Sequence, residues 1–248
     1  LENLADALGV ASIEEAVELR EAGIGAPILL LEGVFEAHEL GTAAQSGFWI
    51  TIDNEWQLRW LEEALLPEPL HCWLKIDTGM HRLGIEPARI RHFYDRLQAT
   101  PNARDDLVFY THFASADDQR SAATQAQMAL FETTCADLPG ELSAANSPGL
   151  LAWPAARYDW VRAGYMLYGD SPLQSPLPHG DELQPVMTLT SAVISVRDVS
   201  AGDRVGYGGT WVAPRPSRIA TVTIGYGDGY PRSAANGTPV LVNGHRAA

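Results

Sequence analysis

Four short runs carry residue types that can do chemistry, and each follows a stretch of strand-forming residues. They are Lys75-Ile76-Asp77-Thr78-Gly79, Thr111-His112-Phe113, Asn146-Ser147 and Arg162-Ala163-Gly164-Tyr165. The first continues through Met80-His81-Arg82-Leu83-Gly84, so cations and a carboxylate surround a glycine turn. Either these ions pair and order the turn, or Arg82 is left to bind a planar carboxylate through its bidentate fork, which a lysine cannot offer. Gly164 would let backbone N–H groups approach an anion, although an ordinary loop glycine explains it equally well. A lone His112 or Asn146 at a strand end is more often a hydrogen-bonded loop anchor than a catalyst. Four such ends in succession favour a shared site. Tyr226, in Ile224-Gly225-Tyr226-Gly227-Asp228-Gly229-Tyr230-Pro231, sits on a glycine-rich loop after a strand. Composition alone favours an aromatic plug on a tight turn there. Of 17 basic residues only Lys75 is a lysine.

Those runs need a frame, and the chain supplies one by alternation. Apolar strand candidates lie at 8–11, 27–31, 48–52, 72–76, 107–110, 142–145 and 158–161. Helical patterns at 14–23, 55–65, 87–97 and 122–136 separate several of them. Parallel strands joined by helices close into a (β/α)8 TIM-like barrel or spread into an open sheet. Seven regular units favour a barrel lacking one strand, in which polar strand ends mark the active-site face. The character changes near residue 170. Residues 1–170 are expected to form the barrel, and the Pro- and Gly-rich 171–185 a linker. Residues 186–248 are expected to form a partial all-β domain with strands at 187–196, 218–224 and 239–242.

Composition narrows the function. The formal charge is −14, with no basic run, which argues against a nucleic-acid surface. The longest apolar runs fall far short of the roughly 20 residues that span a bilayer, so no membrane partner is expected. Cys72 and Cys135 fit no redox or metal spacing and read as buried, inert cytosolic thiols. His71, His81 and His179 fit no metal site, and Trp56, Trp60, Trp73, Trp153 and Trp160 read as core or rim aromatics.

Taken in order, Lys75 to Gly84, Thr111-His112-Phe113-Ala114, Asp159-Trp160-Val161-Arg162-Ala163-Gly164, Tyr207-Gly208-Gly209-Thr210-Trp211 and Ile224 to Arg232 resemble the bacterial alanine racemases over essentially the whole chain. The resemblance implies a β/α barrel and a β domain working as a head-to-tail homodimer with pyridoxal 5'-phosphate. The reaction implied is two-base interconversion of L- and D-alanine, supplying D-alanine for peptidoglycan in the cytoplasm. It implies that Tyr226 is one base and that His112 tunes it. It implies also that Arg82 contacts substrate carboxylate, that Arg162 faces the pyridine nitrogen, and that Asn146, Ser147, Gly164 and Tyr165 surround the phosphate. It implies that Lys75 is a structural lysine, often carbamylated, and that the Schiff-base lysine lies upstream of Leu1. The chain then reads as truncated at both ends and inactive alone. Ala163 and Pro148 depart mildly from the family pattern. A broader amino-acid racemase of the same fold, or a non-catalytic cofactor carrier, are the rival readings.

Overall fold

Strands that are buried on both faces are apolar at nearly every position, and this governs the first 160 residues. The computed structural model describes residues 4–174 and 182–247; part of the expected linker, 175–181, lies outside them. Six strands pair in parallel in chain order: β1 Leu8–Val10, β2 Ile28–Leu30, β3 Phe48–Ile52, β4 Cys72–Lys75, β5 Val108–Tyr110 and β6 Glu141–Ser143. Helices α1 Ile13–Glu21, α2 Glu39–Ser46, α3 Glu55–Glu63, α4 Ile90–Ala99, α5 Ala123–Cys135 and α6 Ser147–Ala152 follow them. The sheet is thus six strands of the β/α barrel of the sequence reading, one fewer than expected.

The expected strand at 158–161 is a correction. It makes a single bridge, Ser143 to Trp160. The reason is local: Asp159 N and Trp160 N both donate to the one carbonyl of Leu142, while Asp159 Oδ2 accepts from Leu142 N at 2.8 Å. A side chain takes the place of a ladder partner.

Alternation along each strand sorts residues into two cores. Ile28, Leu30, Phe48, Ile50, Cys72, Leu74 and Phe109 pack with the helices, whereas Leu29, Trp73, Val108 and Tyr110 form a second cluster with Leu31, Trp49 and Trp160. Each fully buried Phe or Leu contributes about 1.5–3 kcal/mol. The tryptophan rings fill the inner space, with Trp73 and Trp160 centroids 5.5 Å apart and Trp49 and Trp160 5.7 Å apart. Trp56 instead lies exposed. Both cysteines are buried, and burial pushes each thiol up to about 12, so they are inert as expected.

One cap illustrates how the loops are set. Asn54 Oδ1 accepts from Trp56 N and Gln57 N at 3.0 Å, starting α3, while Gln57 Oε1 accepts from Asp53 N at 2.9 Å. Such caps contribute about 1 kcal/mol. Gln57 Nε2 also donates to Glu32 O at 2.8 Å, tying down the loop after β2.

The chain divides into two compact units, and the second spans Met187–Ala248. Strand β7 Val193–Val199 pairs antiparallel with β10 Ser217–Val222, β8 Arg204–Val205 with β9 Trp211–Val212, and β11 Val240–Val242 with β12 His245–Ala247. Residues 187–192, expected as strand, are not. The ladder with β10 runs out at Val222 opposite Val193; beyond it Ala192 O still accepts from Thr223 N at 3.0 Å, but Ala192 N turns to the Thr223 side-chain hydroxyl at 3.4 Å instead of a backbone carbonyl, and the pairing goes no further.

Candidate active site

Side chains two residues along a strand share a face, so Trp73 and Lys75, Trp49 and Thr51, and Val108 and Tyr110 all point into the same interior. Below lie the tryptophans. Above them, at the C-terminal mouth, the lining turns polar.

Tyr110 organises this upper layer. Its ring lies 5.0 Å from both Lys75 Nζ and Arg162 Cζ. Its hydroxyl lies 2.9 Å from Thr51 Oγ1 and donates to Leu31 O at 2.8 Å. Arg162 is clamped across the mouth. Nη1 donates to Ser143 Oγ at 2.5 Å, and Nη2 to Thr111 O at 2.6 Å and Ala144 O at 3.4 Å. Burial brings its guanidinium down to about 10, which leaves it charged at neutral pH.

Lys75 is 7% exposed. Burial, with the charges of Arg162 and Arg82, lowers its ammonium to about 8 against the opposing pull of Asp53 and Glu32. His112 stands two residues past Tyr110, where burial and the cations Arg162, Lys75 and Arg82 depress it to about 4. It is therefore a neutral imidazole at physiological pH, and its Nε2 lies 3.5 Å from Asn146 Nδ2.

This neutrality has a consequence for stability. Above about pH 6.5 neither folded nor unfolded chain protonates His112. As pH falls from there toward 4 the unfolded chain takes the proton first, so stability is lost over that window. Urea unfolding at pH 7 and pH 5 should show a decline that His112→Gln flattens; an unaltered slope would contradict the depressed imidazole.

The turn after β4 is built by Asp77. Its Oδ1 accepts from Gly79 N and His81 N at 3.0 Å each, and its Oδ2 pairs with His81 Nδ1 at 2.9 Å. Burial opposes these bonds, but they win and hold the carboxyl below its ordinary value. Asp77 is thus spent on the turn and Arg82 lies exposed beside it, acting on Lys75 and His112 through its charge. The chain returns along β4, with Ile85 N donating to Lys75 O at 2.9 Å and Asp77 N to Ile85 O at 3.0 Å. Gly84 makes that return possible. Its φ is +124°, and a Cβ there would fall 2.7 Å from Asp77 N. Gly84→Ala should destabilise the fold by about 1–3 kcal/mol in thermal or urea melts; an unchanged midpoint would show that the turn relaxes freely.

At the next strand end, Asn146 caps α6 by accepting from Gly149 N at 3.1 Å. Ser147 Oγ accepts from Gly164 N at 3.0 Å and Met166 N at 3.1 Å. Two N–H donors fill its lone pairs, so its proton is directed elsewhere. A Cβ on Gly164 would meet only open space, which its absence keeps clear. Tyr165 is exposed, its hydroxyl donating to Asp170 Oδ2 at 2.8 Å.

Lys75, Arg82, His112, Asn146, Ser147, Arg162, Gly164 and Tyr165 therefore all belong to one unit. Tyr226 belongs to the other. It lies on a 3₁₀ turn, Tyr226–Asp228, 68% exposed, with Arg232 Cζ 5.7 Å from its ring. Asp228 Oδ2 accepts from Gly225 N at 3.0 Å and Gly229 closes the turn at φ +88°. An aromatic this exposed is not a packed plug.

Residues 1–172 match the alanine racemase N-terminal domain and residues 186–248 the alanine racemase C-terminal domain. The chain belongs to the alanine racemase family. The biosynthetic alanine racemase of Escherichia coli K12 is 52% identical over 241 residues, 97% of this chain and 67% of that one. The chain thus spans about two thirds of that relative's length. The crystal structure of biosynthetic alanine racemase from Pseudomonas aeruginosa superposes with a TM-score of 0.90 at 46% identity, covering 98% of this chain and 67% of that one. The alanine racemase from Bartonella henselae with covalently bound pyridoxal phosphate gives 0.78 at 29% identity, over 98% and 67%.

Proposed function

We propose that the protein interconverts L- and D-alanine with pyridoxal phosphate, as a homodimer that supplies D-alanine for the cell wall. Arg162 is the observation that carries this reading: a charged fork fixed at three points beside a histidine held neutral. The mouth of the barrel fits the cofactor. Ser147 has a hydroxyl proton to give to a phosphate oxygen, and the space over Gly164 is open. When bound, pyridoxal phosphate supplies an electron sink that acidifies the substrate's α-C–H.

The protein's own residues do the rest. Arg162 stays charged at neutral pH, so to a bound cofactor's pyridine nitrogen it would offer a hydrogen bond and not a proton, which would temper the sink and limit side reactions. Arg82, left exposed by the bonds of Asp77, binds the substrate carboxylate. Asn146 acts through α6 and His112, holding the strand end that presents Ser147. Neutral His112 keeps one ring N–H, and donating it to the phenol oxygen of Tyr226 of the partner subunit favours the phenolate form that a base requires. Lys75 is the structural cation of the mouth. Its lowered pKa gives it a neutral fraction able to take up carbon dioxide, and the carbamate would then hold Arg82 in place. Among the described residues no helix is long and apolar enough to cross a membrane.

Assay of the full-length enzyme on alanine, serine and lysine tests the reading. Alanine should be racemised fastest; equal rates would favour a broad racemase, and no turnover a carrier. Borohydride reduction of the loaded enzyme followed by peptide mapping should place the pyridoxyl group on a lysine other than Lys75. A pyridoxyl-Lys75 peptide would overturn that assignment.

A further inference from the structure

The inner stripe of α5 runs Gln127, Phe131, Cys135, all buried, and a buried amide in such a stripe is costly unless every polar atom is used. Gln127, 3% exposed, uses them. Its Oε1 accepts from Ala114 N at 2.9 Å, and its Nε2 donates to His112 O at 3.0 Å and Thr78 Oγ1 at 3.2 Å. The acceptor meets an N–H and the donor a carbonyl, so the orientation of the amide is fixed by chemistry. Thr78 Oγ1 in turn lies 2.7 Å from Thr111 Oγ1, both side chains buried. Gly79 passes directly over the same amide, its missing Cβ 3.5 Å from Gln127 Cγ.

One helix residue therefore grips two loops. The first carries Thr78, Gly79 and Arg82; the second carries Thr111, His112 and Ala114. We propose that Gln127 is a positioning residue that fixes the Arg82 loop relative to the His112 loop, so that substrate carboxylate and proton transfer stay in register. This rests on the roles given above to Arg82 and His112. Gln127 itself touches no reacting group. A leucine would fill the stripe equally well, but it would leave Ala114 N without its acceptor and remove the amide's bonds between the two loops, leaving the Thr78–Thr111 contact.

The test uses the full-length enzyme with Gln127→Met and Gln127→Glu. Methionine keeps the length and removes the hydrogen bonds. It should lower kcat/KM for alanine roughly 10–100-fold, since displacement by about 1 Å can cost 10²-fold, and should do so through both kcat and KM. In the cofactor-free protein the Ala114 amide should exchange with solvent more than 10-fold faster. In Gln127→Glu the carboxylate faces the His112 carbonyl until it is protonated, so kcat/KM relative to the unmodified enzyme should rise as pH falls. Packing alone predicts no such trend. A kcat/KM within about twofold of the unmodified enzyme for folded Gln127→Met overturns the proposal. If that variant does not fold, a flat pH ratio for Gln127→Glu does the same. Arg82→Ala and His112→Ala run alongside separate the two readings. If neither lowers activity, the site assignment fails; if both do while Gln127→Met does not, the clasp fails.

Discussion

Replacing Tyr226 by Phe in the full-length enzyme should lower racemisation roughly 10²–10⁴-fold, the usual contribution of a positioned acid or base. The substitution deletes one oxygen from a side chain that is 68% exposed on its own unit, so the fold should not respond. Cofactor should still bind, because Ser147, Gly164 and Arg162 are untouched. The loss should be one-sided. With the base on one face gone, exchange of the α-proton with deuterated solvent should persist from one enantiomer of alanine and collapse from the other. Equal loss from both enantiomers would mean that Tyr226 serves binding rather than proton transfer.

Arg162 should show the second large effect. Arg162→Glu replaces a clamped fork with an acceptor facing the carbonyls of Thr111 and Ala144, and it invites a proton onto the pyridine nitrogen. Racemisation should fall by about 10²–10³-fold, the cost of removing one preorganised donor, while transamination to pyruvate rises as the electron sink strengthens. Because the Glu variant also loses stability, Arg162→Gln, which keeps a donor, is its companion. In it the His112 titration should move upward, since the Arg162 charge is the largest influence after burial holding that imidazole down. An unchanged product ratio together with an unmoved His112 would remove Arg162 from the site.

Much of this was legible in the sequence because the barrel strands announce themselves by largely apolar runs, and β3 was readable to its end residues, Phe48–Ile52. The strand-end residues followed from the same logic, since polar groups directly after such runs must lie at one mouth. Two helices were not legible. Gly41 and Thr42 dilute the helical signal of α2, and α6 is only six residues long. Its start was nevertheless written in Asn146-Ser147-Pro148, an N-cap residue followed by proline in the first turn. Asp159 taking the ladder's place at Leu142 could not be foreseen, because it depends on where a side chain lands after folding. Gln127 was missed for a related reason: a polar residue in an apolar stripe marks something, but its partners at Thr78, His112 and Ala114 are 13 to 49 residues away. The burial of Lys75 among cations was likewise invisible in a sequence that offered it only as the sole lysine.

We propose that the two bases of one site come from two subunits, Tyr226 from one and the cofactor-anchoring lysine from the other. Mixing full-length Tyr226→Phe subunits with subunits lacking that lysine, each nearly inactive alone, tests it most directly. In confirmed heterodimers one of the two sites regains both bases, and activity approaching half that of the unmodified dimer is expected. Heterodimers no more active than either parent would show that Tyr226 acts on its own subunit's barrel and that a single subunit supplies both bases.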